Sequence, residues 1–148
     1  MEETINHAQE ELDRFGLSGT PTILNEWNYI RGWLAEVWEY SLKTEKNLKG
    51  SSFVAGVMCM AQENPLDMLM YYDARPCGMN GMFHGETFEP LKPYYPFYIF
   101  SDLAKMGNYV KSEGKIPYVY TCGAGDEEEK GIMLTYFNAQ LFQICRNG

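Results

Sequence analysis

Basic residues and histidines are scarce in this chain of 148 residues. Lys and Arg number 12 against 20 Asp and Glu, which gives a net charge of −8. Because proteins that bind nucleic acid neutralise phosphates with clustered Lys and Arg, this balance excludes nucleic acid as the main partner. The two histidines, His7 and His84, are far apart, and the four cysteines form no C-x-x-C pair. We therefore expect no metal and no other cofactor.

Long apolar segments are also absent. The longest run, "FVAGVMCMA" from Phe53 to Ala61, is far short of the roughly 20 residues that span a bilayer. The first residues, "MEETINHAQEELDRF", have neither the basic start nor the apolar centre of a signal peptide. These features predict no membrane partner and favour a cytoplasmic location. The dispersed cysteines favour a reducing compartment over a disulfide framework, with Cys59 buried as a small apolar residue.

The composition is that of a globular protein. Hydrophobic residues make up 45% and aromatic residues 15% of the chain. The length suits one ordinary domain with a hydrophobic core. Aromatic side chains bury large areas and also stack on flat apolar ligand faces, so their abundance fits either a core or a binding cleft.

The hydrophobic pattern predicts alternating helices and strands. Helical spacing runs from Ile5 to Phe15, with Gly16 as the stop, and again from Ile30 to Leu42. "KTEKNLKG" is predicted to be a polar loop, followed by a buried helix over "FVAGVMCMA" that Ser51 or Ser52 caps. A further helix is expected from Tyr94 to Met106, with Pro96 in its first turn and Gly107 at its end. The predicted strands are "TILN", "LDMLMYY", "PYVYTCGA" and "GIMLTYFNA", the last two joined by a solvated turn, "GDEEEK".

This order predicts an α/β fold in which "TILN" and "LDMLMYY" are parallel. Two parallel strands cannot bury both faces of a sheet. The chain therefore resembles part of a larger unit, and the free edges and faces predict a dimer or higher oligomer that completes the sheet.

One carboxylate stands at a position that favours chemistry. Glu26 directly follows the "TILN" strand, and barrels of βα units carry their catalytic groups at the carboxyl ends of strands. An ordinary solvated loop acid is the alternative, and the spacing alone does not exclude it.

The order of several short segments resembles the end of the barrel in clan A glycoside hydrolases, especially family 39, which includes β-xylosidases and α-L-iduronidases. The segments read "LNEWN", "SSFVAGVMCMAQEN", "LMYYDARP", "NGMF", "LKPYYPF" and "DLAKMGN". "PYVYTCGA" and "GIMLTYFNA" resemble the start of the β-sandwich that follows that barrel. The resemblance implies the last βα units of a (β/α)8 TIM barrel over residues 1–110 and the start of an accessory β-sandwich over residues 111–148.

The resemblance also implies a mechanism. Glu26 aligns with the nucleophile of enzymes that hydrolyse O-glycosidic bonds with retention, by double displacement between two carboxyl groups. The chain departs from the family at Asn25, where Thr is more common, and it lacks a "W-N-E-P"-like motif for the acid/base glutamate. The isolated chain is therefore expected to be inactive without the missing N-terminal barrel part. The alternatives are a truncated, non-catalytic remnant that self-associates and at most binds carbohydrate, and a small α/β binding domain unrelated to sugars.

Residues near the predicted strand ends are candidates to bind a carbohydrate. Aromatic rings there could stack on a sugar or belong to the core, and at most one of Tyr71 and Tyr72 faces the barrel axis. Asp73 could contact substrate or pair with Arg75, and His84 could donate to a hydroxyl or have no role. The predicted substrate-binding residues are Asn25, Trp27, Tyr29, Tyr72, Asp73 and His84.

Overall fold

The computed structural model describes residues 1–112 and 116–139. Four helices and two small sheets occur in these residues, so the predicted α/β class is confirmed. The helices are α1 (Glu2–Arg14), α2 (Ala35–Glu45), α3 (Leu48–Ala61) and α4 (Tyr94–Lys105). The strands are β1 (Ile23–Trp27), β2 (Met68–Tyr71), β3 (Asn108–Val110), β4 (Val119–Gly125) and β5 (Lys130–Tyr136).

The first sheet consists of β1 and β2, which are parallel as predicted. Ile23 pairs with Met68 and Leu24 with Leu69. The connection between the two strands runs through α2 and α3, because parallel strands need a long crossover that returns the chain to the same end of the sheet. The carboxyl ends of β1 and β2 therefore lie side by side.

Helix α3 forms the centre of the molecule. From Phe53 to Ala61 its residues are apolar on all sides, and Val54 and Cys59 are 0% and 1% exposed, so the predicted buried helix is confirmed. α3 packs against α2, α4, β4 and β5. The core joins α3 to the first sheet through Trp27 and to the second sheet through Cys122 and Met133.

The second sheet is antiparallel, in the order β3–β4–β5. The turn between β4 and β5 is exposed, and the Asp126 carboxylate accepts hydrogen bonds from the backbone N–H groups of Glu128 and Glu129. The predicted solvated hairpin is confirmed. Strand β3 was not predicted, because three residues are too few to show an alternating pattern.

The boundaries around α2 and α3 correct the sequence interpretation. The predicted polar loop "KTEKNLKG" instead contains the end of α2 and the start of α3. The side chain of Asn47, not of Ser51 or Ser52, caps α3 by accepting the backbone N–H of Lys49 at 2.8 Å. α2 begins at Ala35 instead of Ile30.

The finer assignments, to a (β/α)8 barrel over residues 1–110 and to a β-sandwich over residues 111–148, stay predictions. Part of the second predicted domain, residues 113–115 and 140–148 with Cys145, lies outside the described residues. Within the described part, no helix has both the length and the apolar character needed to cross a membrane.

Candidate functional site

The carboxyl ends of β1 and β2 are held together by two hydrogen bonds beyond the strand ladder. The backbone N–H of Tyr72 donates to the carbonyl oxygen of Trp27 at 3.0 Å. The side-chain amide of Asn28 donates to the carbonyl oxygen of Tyr72 at 2.8 Å. These bonds fix the chain directly after each strand, which is where a βα unit carries its functional side chains.

A bulge in β1 determines where Glu26 points. After the pair of Leu24 with Leu69, the next pair is Trp27 with Tyr71. Two residues of β1, Asn25 and Glu26, therefore oppose a single residue of β2, which is the arrangement of a β-bulge. Both residues are exposed, whereas Trp27 is 5% exposed. Glu26 thus lies inside the strand instead of after it, with its carboxylate in solvent.

The Glu26 carboxylate is open to a ligand. It makes no hydrogen bond and no ion pair with any other residue in the described ranges. A carboxylate that is exposed and fixed on a strand can act as a nucleophile or as a base.

The predicted aromatic residues have different environments. Trp27 packs edge-on against Tyr71, with ring centroids 5.1 Å apart, and Tyr29 packs against Phe53 at the same separation. Trp27 and Tyr29 are 5% and 6% exposed, so both rings belong to the core of the described structure. Of the adjacent tyrosines, Tyr71 points inward and Tyr72 is 39% exposed, a choice that the sequence left open.

Asp73 and His84 follow β2 along the chain. Asp73 forms an ion pair with Arg75 at 2.7 Å, which is one of the two roles predicted for it. His84 is exposed, and its Nδ1 accepts the backbone N–H groups of Glu86 at 3.3 Å and of Thr87 at 3.2 Å. Because Nδ1 accepts hydrogen bonds, the neutral imidazole carries its proton on Nε2, which can donate to a ligand.

A tyrosine–lysine cluster that the sequence did not reveal lies behind the end of β1. Lys49, at the start of α3, donates to the Tyr40 hydroxyl and lies 5.6 Å from the ring centroid of Tyr29. Burial raises the pKa of Tyr29 to about 12, and Tyr40 adds to the shift. Burial would raise the pKa of Tyr40 too, but the hydrogen bond and charge of Lys49 hold that pKa below its ordinary value. The cluster fixes the segment that leaves β1.

A second missed group is Glu45, the last residue of α2. Its side chain is 0% exposed, and neither carboxyl oxygen has a hydrogen-bond partner among residues 1–112 and 116–139. Burial raises the pKa of Glu45 to about 7; the charge of Lys46 opposes the shift, and the charge of Asp73 adds to it. Burial likewise raises the pKa of the Tyr71 hydroxyl, which faces Glu45.

No sequence signal marked these two groups in advance. Glu45 and Lys49 both belong to "KTEKNLKG", which had the composition of a loop, and Tyr40 stood on a helix with ordinary amphipathic spacing. In residues 1–112 and 116–139, no cluster of three or more His, Cys, Asp or Glu side chains is arranged to hold a metal ion.

Comparison with known proteins gives no relative from which a role could be transferred. No family model, no curated protein and no solved structure matches this chain significantly.

Proposed function

We propose that the chain is the C-terminal part of a retaining glycoside hydrolase, resembling β-xylosidases, with Glu26 as the nucleophile. The observation that carries the proposal is the exposed carboxylate at the carboxyl end of a parallel β1–β2 pair, which has no partner in the described part of the chain. The two strands are joined by a helical crossover, as in a barrel of βα units. The order of segments that resembles family 39 supports the same assignment.

In the proposed reaction, Glu26 attacks the anomeric carbon while a second carboxylic acid protonates the departing oxygen. Water then hydrolyses the glycosyl–enzyme ester, with the second group acting as base. The two carboxyl groups of such enzymes lie about 5–5.5 Å apart. The sequence carries no motif for the second group, so we propose that the N-terminal part of the barrel supplies it.

The proposed substrate contacts come from side chains that the solvent reaches. Asn25 and Tyr72 are exposed next to Glu26 and at the end of β2. Asn25 would donate to a sugar hydroxyl, and Tyr72 would stack on the sugar ring. Asp73 would accept from a hydroxyl, and His84 would donate to one through Nε2. In this proposal Trp27 and Tyr29 support the site from the core instead of contacting the sugar.

The proposal also requires a partner for the first sheet. The face of β1 and β2 that points away from α3 carries the exposed side chains Ile23, Met68 and Met70, at 53%, 46% and 44% exposure. Within the described residues, β1 and β2 pair only with each other, so each keeps an open edge. Open edges next to an apolar face favour association. The rest of the barrel, or a second copy of the chain, would cover this surface.

Light scattering tests that requirement. We expect the isolated chain to elute as a dimer or higher oligomer, and coexpression with the polypeptide encoded upstream to replace this species with a complex of the two. A monodisperse monomer in both experiments contradicts the proposed sheet completion.

The role of Glu26 is tested with a 2-deoxy-2-fluoroglycoside that carries a dinitrophenolate leaving group. This leaving group departs without protonation, so labelling requires the nucleophile but not the acid. In the coexpressed complex we expect an ester adduct on the peptide that contains Glu26. We also expect Glu26→Gln to abolish labelling and the hydrolysis of nitrophenyl glycosides.

The matched control is Glu36→Gln, which removes an exposed glutamate from α2 and should leave labelling unchanged. Hydrolysis that survives in Glu26→Gln, or an adduct on another residue, refutes the assignment. Sugar binding by calorimetry without an adduct would favour the non-catalytic, carbohydrate-binding alternative.

A further inference from the structure

The chain that leaves β2 is fastened to the end of α2. The ammonium group of Lys46 donates to the carbonyl oxygens of Cys77 at 2.6 Å and of Gly78 at 2.8 Å. We call residues 73–81 the β2 exit loop. Near its end Asn80 is 2% exposed, and the next large side chain, Met82, is 5% exposed. The loop is therefore held against the body of the protein although it has no regular secondary structure.

The buried carboxyl of Glu45 lies where this loop meets α2. Its interaction partners are Lys46 directly after α2, the Tyr71 hydroxyl at the end of β2 and the Asp73 carboxylate at the start of the loop. α3 contributes backbone to this junction, because Gly50 packs directly against the Glu45 carbonyl. The Glu45 carboxyl and the Tyr71 hydroxyl are both buried without a hydrogen-bond partner in the described residues, and they face each other.

The closed structure is more stable when this carboxyl carries its proton than when it is ionised. Burial of an ionised carboxylate is costly and the nearby Asp73 charge adds repulsion, while the facing Tyr71 hydroxyl offsets part of the cost. The charge of Lys46 opposes this cost, but its ammonium group is engaged by the two loop carbonyls. Ionisation of Glu45 therefore favours a conformation in which water reaches it.

We propose that Glu45 is a proton-controlled switch that closes the β2 exit loop over the α2–α3 junction when protonated and opens it when ionised. The loop is the element that moves because Asp73, its first residue, lies beyond the end of β2 in a segment without helix or strand. Opening frees the loop carbonyls from Lys46, which can then pair with the ionised Glu45. The Asp73–Arg75 ion pair moves with the loop.

The switch has a consequence for the candidate site, which rests on the proposed function. Asp73 is the first residue of the loop, and Tyr72 precedes it at the end of β2. Loop opening removes Asp73 from its closed position beside the strand ends. Sugar contacts on this side of the site would then weaken as the pH rises.

The direction and size of the effect follow from linkage. The folded pKa of Glu45, about 7, lies above the ordinary 4.5. Protonated Glu45 therefore stabilises the closed loop fully below about pH 4.5. This stabilisation is lost as the pH rises from there towards about 7. If Glu45 has its ordinary pKa in the open state, the opening equilibrium constant should rise about 25-fold between about pH 5.5 and pH 8 and level off above about pH 7.

Hydrogen–deuterium exchange of the peptides covering residues 73–81 tests the switch, with rates corrected for the intrinsic pH dependence of amide exchange. For the wild-type chain we expect the 25-fold rise and its plateau. Glu45→Gln should keep the loop protected up to pH 8. Glu39→Gln, which removes an exposed carboxyl from the same helix, should retain the wild-type profile.

A second variant keeps the test decisive if Glu45→Gln does not fold. Because the Asp73 charge raises the pKa of Glu45, Asp73→Asn should move the plateau to lower pH. Loop exchange that does not depend on pH in the wild type, or an unchanged profile in a folded Glu45→Gln or in Asp73→Asn, overturns the proposal. The measurement contains no sugar, so its failure is distinct from failure of the glycosidase assignment, which the adduct on Glu26 decides.

Discussion

Replacing Gly50 with alanine should separate α2 from α3. A Cβ atom at Gly50 would lie 1.8 Å from the carbonyl oxygen of Glu45, 2.5 Å from its carbonyl carbon and 2.7 Å from its Cα. A carbon and an oxygen in contact are about 3.3 Å apart, so one backbone must move by roughly 1.5 Å. All three neighbours are backbone atoms, and no change of rotamer can relieve the clash.

Gly50→Ala should lower the free energy of unfolding by about 3 kcal/mol, the upper end of the range for overpacked cores. The movement also disturbs the buried Glu45 and Lys49 on either side of the junction. Gly56 in the same helix gives a matched comparison. Its Cβ would meet the Tyr120 ring at 3.4 Å, an ordinary contact, and alanine inside a helix is favoured over glycine by about 0.5–1 kcal/mol.

Urea denaturation distinguishes the two substitutions. With a slope near 2 kcal/mol per molar urea, Gly50→Ala should lower the midpoint by about 1.5 M. Gly56→Ala should leave the midpoint unchanged or raise it by less than about 0.5 M. A Gly50→Ala variant whose stability lies within about 1 kcal/mol of the wild type would refute the proposed backbone contact.

Two further predictions concern exposure. Of the three cysteines in the described residues, Cys77 should be the first that iodoacetamide modifies, because its thiol is partly accessible and backbone N–H groups lower its pKa. Cys59 and Cys122 are 1% and 2% exposed, with sulfur atoms 3.3 Å apart. Both should react only when denaturant unfolds the chain. Peptide mapping that shows Cys59 and Cys122 reacting as fast as Cys77 would contradict this. In urea denaturation, Trp27→Ala should lower the free energy of unfolding by about 4 kcal/mol. Trp33 is 76% exposed, so Trp33→Ala should lower it by less than about 1 kcal/mol. Similar losses in the two variants would contradict the burial of Trp27.

The elements that the sequence predicted well are those that depend on local pattern. α4 has its expected start at Tyr94 and a glycine, Gly107, just after its end, since capping and proline rules act within a few residues. α3 was recognisable because it is apolar all round. The first turn of α3 was not recognisable from the sequence. Lys49 and Gly50 are buried there by contacts with α2, and the polarity of these residues does not indicate such contacts.

The candidate site was predictable only in part. The sequence indicated the carboxyl ends of the two parallel strands, and the structure brings those ends together. The sequence could not show that Tyr71 faces inward, because an alternating strand can place either Tyr71 or Tyr72 on its inner face. Nor could it reveal Glu45, whose raised pKa is caused by tertiary burial instead of by neighbours in the sequence.

The bulge in β1 resolves a conflict of parity. In a regular strand, alternate side chains share a face, so Leu24 and Glu26 would point the same way and Trp27 the opposite way. The extra residue lets Leu24 and Trp27 both pack on the core while Glu26 remains in solvent. Substitutions at Asn25 should therefore be tolerated by the fold, and deletion of this one residue would restore regular alternation, with Leu24 and Trp27 on the core face and Glu26 on the opposite face. The bulge therefore accommodates one additional exposed residue, Asn25, beside Glu26 without changing which side chains of β1 reach the core.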